Sequence, residues 1–102
     1  MAGQVSLEPY TQILAHNQQA VPTATATAVP LVANTSRHAI LIKNMDAAVT
    51  IYVGKADTVT TSTGYPIEKG VEAVFTLTAA QPLYVIHAKG SDLTVAWMEL
   101  GY

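Results

Sequence analysis

The chain has 102 residues, half of them apolar and only 12% charged, with a formal charge of −2 and no cysteine. That length holds one domain around one core, the charge leaves no electrostatic footprint for nucleic acid or anionic lipid, and the lack of thiols removes disulfides, thiolate catalysis and thiolate metal sites. The N-terminal run lacks a basic segment followed by an apolar one, so no secretion signal is expected, and no apolar run nears the roughly 20 residues of a membrane span.

Residues 1–19 are rich in amides (Gln4, Gln12, Asn17, Gln18, Gln19), with Leu7, Tyr10, Ile13 and Leu14 as scattered apolar anchors. Anchor spacings of three and four allow a short amphipathic helix after Pro9, in an arm preceding a domain of residues 20–102. Few charges and many amides suit an arm ordered by a partner, with Tyr10 and Leu14 buried there.

In "AVPTATATAVPLVA" (Ala20 to Ala33), Thr alternates with Ala between two prolines, which favours an extended edge strand. "AILIK" (Ala39 to Lys43) and "VTIYV" (Val49 to Val53) read as strands, joined through Asn44 and Asp46 in a tight antiparallel turn. "VEAVFTLT" alternates Val71, Ala73, Phe75 and Leu77 against Glu72, Val74, Thr76 and Thr78. "AAQP" interrupts, because Pro82 cannot donate to a ladder. "LYVIHA" and "LTVAWMEL" follow as strands about "KGSD", with Gly90 placed for a positive φ. The fold expected is all-β: one antiparallel sandwich or barrel, jelly-roll-like, of about six to eight strands.

Between two of these strands lies "VGKADTVTTSTGYPIEKGV" (Val53 to Val71), polar, rich in hydroxyls and bounded by glycines. Asp57, Thr58 and the following threonines can bond nearby amides, and Gly64 can adopt a conformation closed to other residues. A connection ordered by itself is expected, crossing the sandwich or presenting a flat polar face to a neighbour.

Chemical motifs are sparse. His16, His38 and His87 share no metal-pair spacing, no serine sits in a G-x-S-x-G elbow, and the carboxylates are scattered, with Glu68 and Glu72 reading as solvated surface rather than an acid/base couple. No catalytic residue, cofactor or metal is expected. Tyr52, Tyr65, Tyr84 and Trp97 on one exposed face would stack on sugar rings, as in a carbohydrate-binding sandwich, although Trp97 between Ala96 and Met98 suits a core or subunit-interface position better.

From about Arg37 to Leu100 the chain resembles small β-rich structural proteins of tailed bacteriophages. The residues that carry the resemblance are Ile42 and Asn44, "YVG" (Tyr52 to Gly54), Asp57, Val59, Thr60, Gly64, Pro66 and Ile67, then Gly70, Leu83, Tyr84, Ile86, Ala88, Val95 and Glu99. The module serves at several virion positions: head decoration, head-fibre bases and parts of tails. The resemblance implies a non-enzymatic capsid decoration or cement protein on the head surface, assembled in the host cytoplasm and bound to the major capsid protein. Expected partner contacts are Leu7, Tyr10, Ile13, Leu14, Asp57, Thr60, Tyr65 and Ile67. Because "LYVIHA" is apolar on both faces, self-association is also expected, with a trimer preferred and Tyr84, Ile86 and Trp97 at its interface.

Overall fold

The computed structural model describes residues 9–78 and 81–102. Its strands, in chain order, are β1 (Gln12–Val21), β2 (Thr27–Ala28), β3 (Ala39–Asn44), β4 (Ile51–Gly54), β5 (Tyr65–Ile67), β6 (Glu72–Thr76), β7 (Tyr84–Ile86) and β8 (Leu93–Gly101). They form two four-stranded sheets, ordered β1-β8-β3-β6 and β2-β7-β4-β5, and every pairing is antiparallel. This interleaving of early and late strands is a jelly roll, so the expected all-β sandwich is the fold.

Period-two alternation decides which side chains meet between the sheets. From the first sheet, β3 turns Ile40 and Ile42 inward, β8 turns Leu93, Val95 and Trp97, and β6 turns Ala73 and Phe75. From the second, Ile51, Val53, Ile67 and Val85 face them. Ile40, Ile42, Ile51, Val85 and Val95 are wholly buried, each worth about 1.5–3 kcal/mol in removal from water. The hydrophobic effect therefore holds the layers together where the alternation was clearest in the sequence.

The largest departure from expectation lies near the N-terminus. In place of a helix inside a partner-ordered arm, Gln12–Val21 forms β1, paired with β8 at nine positions with an irregularity between Ile13 and Ala15. The strand runs across the boundary expected at residue 19. Spacing of the anchors suggested a helix, but the backbone of β8, some eighty residues away, offers a ladder that a marginal helix of this length cannot match. Of the Thr/Ala run only Thr27–Ala28 is paired, and Ala24 takes the left-handed conformation at φ 52°. The Val53 to Val71 connection contains the short strand β5, whose pairing to β4 includes Pro66. Such a residue is tolerated because β5 is an edge.

Candidate functional site

The connection from Lys55 to Gly64 packs onto the outer face of the second sheet. Val59, 8% exposed, sits over Gly54, and a Cβ at Gly54 would lie 2.5 Å from its Cγ2. At Gly64 a Cβ would fall 2.7 Å from Cβ of Tyr52 and 3.0 Å from Val59 Cγ2. Gly64 is therefore required for close approach, and the special backbone conformation expected there belongs to Gly70 instead, at φ 71°. Hydroxyls complete the loop: Thr60 Oγ1 accepts from the amides of Ser62 and Thr63, both at 3.2 Å, and the amide of Thr60 donates to Thr63 Oγ1 at 3.0 Å. The backbone amide of Val59 donates to the Ala56 carbonyl at 3.1 Å. One apolar plug and a ring of short-range hydrogen bonds order the loop, leaving Asp57 and Thr60 exposed on its crest.

Buried polar groups join the two layers. Asn44 bridges the sheets: its Nδ2 donates to the carbonyls of Val49 at 2.8 Å and Ile67 at 3.0 Å, while its Oδ1 accepts from the Asp46 amide at 2.9 Å. His87 is fully buried, with Nε2 2.7 Å from the Val21 carbonyl and Nδ1 accepting from the Lys89 amide at 3.1 Å. Those partners place the ring proton on Nε2 and tie the end of β7 to the end of β1.

Arg37 and Glu99, each 1% exposed, form an ion pair of 3.0 Å between Nη1 and Oε2. The same oxygen accepts from the Asn34 amide at 2.8 Å, and Arg37 Nη2 donates to the Gln81 carbonyl at 2.5 Å. Glu99 shares the inward face of β8, so its charge is compensated where water cannot reach it.

At the β3–β4 turn, Lys89 Nζ lies 2.5 Å from Asp46 Oδ1, and Asp46 Oδ2 accepts from the amides of Ala48 and Val49 at 3.0 and 2.9 Å. The Lys89 hydrogen bond, helped by those amides, lowers the Asp46 pKa to about 2. These groups hold loops together. Among the described residues, no cluster of three His, Asp or Glu side chains is arranged to hold a metal.

The residues singled out in the sequence do not converge. Tyr10 is half-buried against the first sheet, its ring 5.7 Å from that of Tyr102 and its hydroxyl 2.9 Å from Thr76 Oγ1. Leu14 packs at Gly101, Ile13 is 58% exposed, and Leu7 lies outside the described residues. Tyr10 and Leu14 thus make contacts within their own domain while remaining half-buried. Ile67, at 2% exposure, belongs to the core and cannot be a partner contact, whereas Tyr65 is 62% exposed with its ring edge-on to Phe75.

Tyr84 and Ile86 share the outer face of the second sheet with Tyr52, while Trp97 packs between the layers. The four aromatics therefore do not form one sugar-stacking platform, and the three expected interface residues do not share one surface. Sequence reading missed the Arg37–Glu99 pair, because 62 residues separate its members and only the β3–β8 register, which sets Ile40 beside Glu99, brings them near. No protein family, curated protein or solved structure matches the chain.

Proposed function

We propose that this protein is a non-enzymatic structural component of a tailed-bacteriophage virion, a decoration or cement protein that binds the lattice of the major capsid protein at the head surface. The observation that carries this reading is where the residues of the phage resemblance come together. Tyr52, Gly54, Val59, Gly64 and Pro66 build one shaped surface, with two glycines accepting the loop plug and hydroxyls fixing the crest. Such a motif serves shape rather than reaction. The jelly roll supports it at the level of fold, since viral capsid and lectin domains use that architecture.

In this reading the crest around Asp57 and Thr60 meets the lattice, beside the half-buried Tyr84 and Ile86. A subunit that binds only the expanded shell adds its binding free energy to that state, and many copies bridge neighbouring capsomers. The test adds purified protein to shells that lack it. Saturation at a fixed ratio to the capsid protein, with a higher shell melting temperature, is expected. Recovery of the protein solely with fibre or tail fractions would move it to another virion position, and no association with any particle would overturn the assignment.

A further inference from the structure

We propose that the outer edge of β1 pairs antiparallel with the same edge of a second copy, joining two four-stranded sheets into one continuous sheet about a two-fold axis. Among the described residues β1 has one strand neighbour, β8. A strand with one neighbour points alternate backbone N–H and C=O groups away from the sheet, where another strand can take them up; in β1 the new ladder would displace Asn17 Oδ1, which accepts from the Gln18 amide at 2.8 Å.

The other three edges are protected. β2 has two residues, β5 has three including Pro66, and β6 carries Glu72. Short length, proline and charge are the usual defences against edge pairing. β1 has none of them: it runs for ten residues, QILAHNQQAV, without Asp, Glu, Lys, Arg or Pro. Indeed no charged residue occurs from Pro9 to Ser36, and eleven of the twelve in the chain lie beyond that stretch.

Exposure points to the same flank. Six large hydrophobic residues stand out from the described surface, and three of them belong here: Ile13 at 58%, Leu31 at 70% and Val32 at 85%. Leu31 and Val32 line a depression together with Asn17, Gln18 and Gln19 of β1. Those apolar side chains would frame the new ladder and lose water when it forms.

The occupant is a second copy because the edge is complementary to itself. An antiparallel two-fold pairing centred on Gln18 sets that amide against its own counterpart and Asn17 against Gln19 of the second copy; the Gln18 side-chain amide both donates and accepts, while Gln19 Nε2 keeps its bond to the Ala28 carbonyl at 2.7 Å. No like charges meet across the axis. The result is a dimer, in place of the threefold association expected from "LYVIHA". It is a property of the isolated chain, and its measurement needs no particle, so it stands or falls separately from the virion assignment.

The test is sedimentation equilibrium of the full chain from micromolar to millimolar concentration, with hydrogen exchange followed across Ile13 to Ala20. The wild type is expected to be a dimer whose β1 amides gain protection as concentration rises. Gln18→Lys and Val32→Glu, both at exposed positions, should each raise the dimer Kd by about a hundredfold or more, because like charges meet in the pair, while a Thr61→Lys control leaves it unchanged. Mixing Gln18→Lys with Gln18→Glu chains should restore pairing, which a misfolded variant could not do. A wild type that stays monomeric at millimolar concentration, that forms a trimer, or whose dimer is indifferent to both edge charges would overturn the proposal.

Discussion

Val59 fills the space that a side chain on Gly54 would need, its Cγ2 lying 2.5 Å from where that Cβ would be. The loop and the outer face of β4 are thus fitted to each other, and the fit is testable by substitution. Gly54→Ala should destabilise the fold by about 1–3 kcal/mol through overpacking. Val59→Ala should cost about 1.5 kcal/mol for two buried methyl groups. The double variant should be more stable than the sum of the two losses implies, since the smaller residue at 59 makes room for the new methyl group. Urea denaturation of all four proteins measures the coupling, and strict additivity would show that the loop does not seat as described.

The Arg37–Glu99 pair should respond asymmetrically. Glu99→Gln or Arg37→Met alone leaves a buried charge uncompensated and should cost about 3–5 kcal/mol. The double replacement Arg37→Met with Glu99→Leu removes both charges and should recover most of that loss, although the Asn34 amide and the Gln81 carbonyl lose their partners. Thermal melting of the three variants checks the pattern.

Asp46 should make stability depend on acidity. Its pKa falls from 3.8 to about 2 in the folded chain, so the folded state favours the carboxylate more than the unfolded chain does. This contribution is fully present above the ordinary value and is lost as pH falls through the interval between the two. Asp46→Asn should therefore lower the melting temperature at neutral pH and flatten its decline from pH 3.8 to 2. The Lys89 partner is 36% exposed, so added salt should shrink the difference.

Deletion of residues 1–19 should abolish cooperative folding. The cut removes Gln12 to Gln19, most of β1, and strips the ladder and the Leu14 contact from β8. Circular dichroism and a melting curve of the truncated chain report the outcome directly. A truncated chain that melts as sharply as the full one would show that β8 can serve as an edge.

The sequence by itself determined the all-β class, the five strands with alternating or branched runs, and the presence of a loop ordered by threonine and glycine. These features are local: burial on one face imposes a period of two, and turn residues act within a few positions of themselves. Tertiary structure decided what depends on distant partners. β1 carries no clean alternation because its exposed edge leaves most of its side chains half-wet or wet, and only pairing with β8 makes it a strand. Gly64 looked like a turn residue and is a contact residue, because Tyr52 and Val59 come from other parts of the chain. Arg37 and Glu99 are unremarkable charges until the β3–β8 register buries them together. A ladder or a buried ion pair between residues about sixty to ninety positions apart is written in no local pattern, since its stability comes from water excluded by the whole sandwich.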